Sequence, residues 1–144
     1  MSARIMADAS VSASWFLPDE MSDAAERLLE LIVGGEARLI EPSLWLYESI
    51  NILKSAVVRK RITQTDARKA LYFLKEIPTD YVSPENIGEQ LILEHAISNG
   101  LSAYDATYLT LAESCGADLF TADGDLLRLA PRYSFIKDIR KSAP

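Results

Sequence analysis

The sequence predicts an α/β domain built on a mainly parallel sheet with helices on both faces. Three observations predict it. Short apolar runs of strand length alternate with longer segments of helical periodicity. The connections between runs are long enough for crossovers, which parallel strands require. Acids stand at or just beyond the C-terminal ends of the first and fourth runs, where open parallel sheets form their sites.

Taken in order, Arg4-Ile5-Met6-Ala7 reads as a first strand ending at Asp8. Val11 to Leu17 reads as a short helix closed by Pro18. Ser22 caps an amphipathic helix carrying Ala25, Leu28, Leu29 and Ile32, which Gly34-Gly35 ends. Arg38-Leu39-Ile40 is a second strand stopped by Glu41-Pro42. Ser43 caps a long helix reaching Lys60, with Leu46, Ile50, Leu53 and Val57 as its stripe. Thr63-x-x-Asp66 opens another helix, which ends before Pro78, and Tyr81-Val82 is a very short third strand. Ser83-Pro84-Glu85 starts a helix that Asn99-Gly100 stops, and Ser102-x-x-Asp105 starts one running to Cys115. Asp118 to Thr121 is the fourth strand; a short helix near Leu126–Leu129 and the run Tyr133–Ile136 finish the chain.

At 144 residues, 49% hydrophobic and 25% charged, the chain is expected to be one domain, 1–144, without a disordered tract. No apolar run approaches the roughly 18 residues of a membrane span, and Met1–Ser14 lacks the pattern of a secretory signal, so a cytoplasmic protein is expected. Cys115 is the only cysteine and His95 the only histidine. An internal disulfide and a multi-Cys or multi-His metal site are therefore excluded, and a Cys/His nucleophilic pair is not expected. Any bound metal must be held mainly by oxygen. His95 reads as a packed or half-exposed residue and Cys115 as a small buried hydrophobe.

The net charge of −6 hides a segregation. Residues 1–53 carry net −6, 54–75 carry +6, 76–127 carry −10 with no base at all, and 128–144 carry +4. Basic patches beside an acidic centre suit phosphates held around a metal site, although exposed helix faces are also charged in blocks.

Four acids stand out. Asp8 and Asp123 follow the first and fourth strands, which are neighbours in common doubly wound sheets; a turn or N-cap aspartate is the plainer reading of each alone. Glu48 lies in a helical row between Leu44 and Ile52, so it is either shielded and in need of a partner or set at the helix rim. Asn51 sits one turn further on. Asp105 completes a capping-box pattern with Ser102, a role compatible with metal binding. Four carboxylates converging without a counter-charge would repel, and a hard divalent cation such as Mg²⁺ relieves this. With no Gly-rich phosphate loop, metal-assisted phosphodiester hydrolysis is the chemistry these residue types serve best. Without divalent ions, Asp8→Asn or Asp123→Asn should then raise the melting temperature.

Asp8-Ala-Ser10 after a first strand, Glu48-x-x-Asn51 on a long helix, Ser102-Ala-Tyr104-Asp105-Ala106 and Thr121-Ala-Asp123 together resemble the PIN domain, most closely its VapC toxin branch. The resemblance runs in order from Asp8 to Asp123. It implies a three-layer α/β/α sandwich and an endoribonuclease dependent on Mg²⁺ or Mn²⁺. It implies that Asp8, Glu48, Asp105 and Asp123 form the catalytic acidic set, with Asp8, Asp105 and Asp123 holding the metal. Ser10 and Thr121 would support that set through hydrogen bonds, Asn51 would flank it, and Asp125 would be an outer acid at most. It further implies a homodimer silenced by a cognate antitoxin protein. Arg59, Lys60 and Arg61 in the basic stretch are candidates for holding the RNA backbone. Trp15, Phe16 and Leu17 after the first acid, and Leu44, Trp45, Leu46 and Tyr47 before the second, could line an antitoxin groove, a dimer face or the core. The alternative is a non-catalytic binding module of the same fold in which the acids are only caps. Other α/β phosphotransfer families fit poorly: Ser10 stands where a second aspartate would be wanted, and no paired acids precede Asp8.

Overall fold

The computed structural model describes residues 2–141. Its elements are β1 (Ala3–Ala7), α1 (Ala9–Ser12), α2 (Asp23–Val33), β2 (Ala37–Pro42), α3 (Leu44–Val58), α4 (Gln64–Glu76), β3 (Thr79–Val82), α5 (Pro84–Ile87), α6 (Glu89–Asn99), α7 (Ala103–Cys115), β4 (Asp118–Thr121), α8 (Gly124–Leu127) and β5 (Ile136–Asp138). The five strands form one sheet in the order β3-β2-β1-β4-β5, and every pair is parallel.

The order explains the layers. The chain steps from β1 to β2 to β3 through α1–α4, then returns across the sheet to β4 and β5 through α5–α8. Right-handed crossovers in opposite directions put the two helix sets on opposite faces. The direction reverses between β1 and β4, which pair with Ala7 beside Phe120. That is the switch point at which an open sheet leaves a crevice beyond its strand ends.

The apolar runs meet in one core. Met6, Leu39 and Leu119 from the central strands, Leu28 from α2, Trp45 from α3, Leu74 from α4 and Leu109 from α7 are inaccessible to solvent. Trp15 and Leu17 are buried and Phe16, Leu44 and Leu46 half-buried, so most of the flanking apolar residues are core; Tyr47 is 75% exposed. His95 is half-buried, its Nε2 3.0 Å from Glu113, and Cys115 is half-buried rather than fully buried.

Several boundaries differ from the sequence reading, each for a local reason. The first helix starts at Ala9, because Asp8 itself is its cap, and continues only as a 3-10 turn over Ala13–Trp15. Glu41-Pro42 does not stop β2: both residues pair with β3, opposite Tyr81 and Val82, and a proline is tolerated as the last residue of a strand. Ser43 makes no cap; its backbone is already helical and its hydroxyl donates to the Val82 carbonyl. The buried line of α3 is Trp45, Ser49, Leu53 and Ala56, while Ile50 is exposed and Leu46 and Val57 are half-buried. This helix is apolar nearly all round, so periodicity leaves its inner face undetermined. Gly88, at φ +111°, splits the segment before Asn99 into α5 and α6, and the final run extends into an edge strand, β5.

Candidate metal centre

The crevice is built from the ends of β1 and β4 and the first turn of α7. Asp8 leaves β1 and turns back to cap α1, its Oδ1 accepting from the backbone N–H of Ser10 (3.1 Å) and of Val11 (3.3 Å). The Ser10 hydroxyl also donates to Oδ1, and the buried Thr121 hydroxyl donates to Oδ2. Both hydroxyls then accept from the loop after β4: Ser10 Oγ from the Ala122 N–H at 3.0 Å, Thr121 Oγ1 from the Asp123 N–H at 2.9 Å. Two short side chains thus tie the end of β1 to the end of β4 around one carboxyl. Burial raises the Asp8 pKa to about 6 against the lowering effect of these hydrogen bonds, and the charge of Asp123 adds to the rise.

Asp123 caps α8, accepting from the Leu126 N–H at 3.1 Å. Asp105 sits in the first turn of α7, where its N–H donates to Ser102 Oγ at 3.1 Å. The carboxylate returns no hydrogen bond among the described residues, so only half of the capping box forms. It is left facing other acids. Partial burial raises its pKa to about 6, and Asp123, Asp8, Glu48 and Asp125 each push in the same direction. Asp105, Asp123 and Asp125 offer carboxylate oxygens that all lie within 4.8 Å of one another. One hard cation with metal–oxygen distances of about 2.0–2.6 Å spans such a set, and an all-oxygen, all-anionic donor group is what Mg²⁺ or Mn²⁺ takes. Asp8 belongs to the same electrostatic cluster but its oxygens are turned to Ser10, Val11 and Thr121. Asp125, the exposed member of the three, brings a carboxylate oxygen within the same 4.8 Å of Asp105 and Asp123.

Glu48 enters from α3, half-buried, and its partner is a phenol: Tyr108 Oη donates to Glu48 Oε1 at 2.6 Å. Asn51 is exposed and makes no bond to the four acids among the described residues. It lines a cavity of about 490 Å³ together with Ser10, Ser55, Arg59, Arg61 and Ala122. That cavity runs from the rim of the acidic site to the first residues of the basic stretch. Arg61 is engaged there by Asp19 at 2.7 Å and Glu20 at 2.9 Å, whereas Arg59 and Lys60 are exposed and form no ion pair among the described residues.

Two residues escaped the sequence reading. Glu41 is wholly buried in β2, and burial pushes its carboxyl well above the usual range. The signal was an acid on the same strand face as Leu39, inside a strand flanked on both sides. Tyr108 follows Asp105 by three residues, hence shares its helix face.

Comparison with known proteins agrees with this architecture. The PIN domain family model matches residues 5–131. Ribonuclease VapC3 of Pyrobaculum aerophilum is 30% identical over 132 residues, which cover 89% of this chain and 95% of that protein. The crystal structure of PAE2754, also from Pyrobaculum aerophilum, has the same fold, with a TM-score of 0.68 at 24% identity over 97% of this chain and 93% of that one.

Proposed function

The chain belongs to the PIN domain family, and on that premise we propose that it is a divalent-metal-dependent endoribonuclease, the toxin of a toxin–antitoxin pair. The observation that carries this reading is the triad Asp105, Asp123 and Asp125, with Asp8 and Glu48 beside it at the switch point of the sheet. A chain with one histidine and one cysteine has few other ways to hydrolyse a phosphodiester.

Asp105, Asp123 and Asp125 would hold the ion, Mg²⁺ or Mn²⁺, with Asp8 as the fixed acid behind them. When bound, the ion supplies Lewis acidity toward a phosphate oxygen and lowers the pKa of a coordinated water. The chain's own residues do the rest. Ser10 and Thr121 hold the Asp8 carboxyl in one orientation, and preorganisation of this kind keeps negative charge where a cation must sit. Glu48, contributed by α3, would orient water for in-line attack on phosphorus, and hydrolysis would leave a 5′-phosphate and a 3′-hydroxyl. Arg59 and Lys60, beyond the cavity that Asn51 lines, hold the RNA backbone; Arg61 instead fastens the turn at Asp19-Glu20. A cognate antitoxin protein and a homodimer complete the proposal, as the resemblance of the four motifs to the VapC branch implies.

The test is incubation of partner-free protein with total RNA in Mg²⁺ or Mn²⁺, alongside Asp105→Asn and an EDTA control. Discrete, metal-dependent cleavage that the variant lacks is expected. Absence of both cleavage and any metal effect on the melting temperature would overturn the reading in favour of a non-catalytic module.

A further inference from the structure

The acidic site contains a carboxylate that only one group among the described residues holds. Among those residues Glu48 has no ion-pair partner, and the 2.6 Å bond from Tyr108 Oη is the only hydrogen bond its side chain accepts. Tyr108 is itself 1% exposed, locked into the core by α7, so its hydroxyl has no freedom to turn to water. It stands one turn after Asp105. One helix face therefore delivers a carboxylate of the metal cluster and the donor that fixes an acid from α3. The surroundings make that donor matter: Asp105 presents negative charge toward Glu48, and Asp8 toward its phenol partner. An unrestrained Glu48 surrounded by acids would swing outward to solvent, because a half-buried side chain at the helix rim can relieve repulsion by changing rotamer.

We propose that Tyr108 is a positioning residue for the metal-dependent reaction, holding Glu48 Oε1 so that only Oε2 is free to face the ion or its water. This rests on the metal-dependent reading above. A hydroxyl that engages one oxygen of a carboxylate sets both its direction and its one-oxygen mode of action, and outer partners of this kind typically govern about 10–100-fold in metal affinity or activity.

The experiment is calorimetric titration of Mn²⁺ alone, without RNA, into wild type, Tyr108→Phe, Glu48→Gln and the double variant, followed by cleavage kinetics. Tyr108→Phe keeps the ring in the core and removes only the hydroxyl. It should weaken Mn²⁺ binding by roughly tenfold and lower kcat while leaving the KM for RNA within about twofold. In the Glu48→Gln background the same change should add nothing, because the phenol acts only through Glu48. Wild type that binds Mn²⁺ and a Tyr108→Phe variant that binds it equally well would overturn this inference alone. Additive losses in the double variant would also overturn it. Wild type that binds no divalent ion would overturn the metal-dependent reading and this inference with it. If Tyr108→Phe fails to fold, the wild-type ring resonances of Tyr108 serve instead. Mg²⁺ should shift them, and Glu48→Gln should abolish the shift; resonances that ignore Mg²⁺ in a protein the ion stabilises would refute the proposal.

Discussion

The backbone N–H of Ala7 donates to Glu41 Oε2 at 3.3 Å, while Oε1 of the same carboxyl is buried without a partner among the described residues. One neutral hydrogen bond cannot compensate an ionised carboxylate that is wholly removed from water and lies near Asp8 and Glu48. Glu41 therefore holds its proton to higher pH in the folded protein than in the unfolded chain. Its folded pKa lies above the unfolded one, so the stability it contributes is complete at acid pH, below the ordinary glutamate value, and is lost as the pH rises. Glu41→Gln keeps an acceptor for Ala7 and removes the titration. In EDTA the variant should melt close to wild type near pH 4 and at least about 3 °C higher near pH 8. A gap that does not widen with pH would show that Glu41 is already charged in the fold.

Asp105 offers the cleanest measure of repulsion among the ligating acids. Its side chain makes no hydrogen bond among the described residues, so Asp105→Asn removes charge without removing a contact. The variant should melt about 1–3 °C higher than wild type in EDTA and should lose most of the stabilisation that Mg²⁺ gives wild type. Asp8→Asn should do the reverse of the sequence expectation. Its amide would turn a donor toward the Thr121 hydroxyl, which itself donates to Asp8. Leaving that buried hydroxyl without an acceptor costs about 1–3 kcal/mol, and Asp8→Asn is expected to melt below wild type. Thermal scans of both variants in EDTA decide the order.

Two carboxyl groups with pKa values raised to about 6 make the metal response depend on pH. Asp8 and Asp105 hold protons more tightly folded than unfolded. Without metal, their stabilising contribution is whole below about pH 3.8 and is lost as the pH passes 6. A cation competes with those protons. The rise in melting temperature on adding Mg²⁺ should therefore be small at pH 5, grow steeply through pH 6 and level off by pH 8. Equal shifts at pH 5 and pH 8 would mean that neither carboxyl is protonated before the ion arrives.

Much of this site was legible before any coordinates. Strand-length runs alternating with helices predict a parallel sheet, and a parallel sheet with β1 beside β4 brings Asp8 and Asp123 to one crevice. What the sequence could not separate were patterns with two outcomes. Thr63-x-x-Asp66 and Ser102-x-x-Asp105 look alike. In the first, the aspartate closes the box, its Oδ2 accepting from the Thr63 N–H at 3.1 Å. In the second, the carboxylate faces Asp123 and Asp125, which only the tertiary fold supplies. Glu41 before Pro42 read as a strand stop because a polar residue and a proline usually end a strand. Tyr108 is one of several large residues in a helix buried nearly throughout, and nothing local marks its hydroxyl as the partner of a residue sixty positions away.

The basic stretch makes an uneven set of contacts, and the unevenness gives a prediction about RNA. Arg61 is held by Asp19 and Glu20, so a phosphate would have to displace two carboxylates to reach it. Arg59 opens onto the cavity beside Ser10 and Asn51, and Lys60 extends from a left-handed backbone at the end of α3. Each cation that touches a phosphate releases counterions, which sets the slope of log affinity against log salt at about −0.7 per contact for a single strand. In Asp105→Asn protein, expected to bind RNA without cutting it, Arg59→Ala and Lys60→Ala should each flatten that slope by roughly 0.7. Arg61→Ala should leave it unchanged and instead loosen the turn at Pro18–Glu20, seen as a lower melting temperature. A slope that falls with Arg61→Ala but not with Arg59→Ala would place the RNA on the other side of the turn.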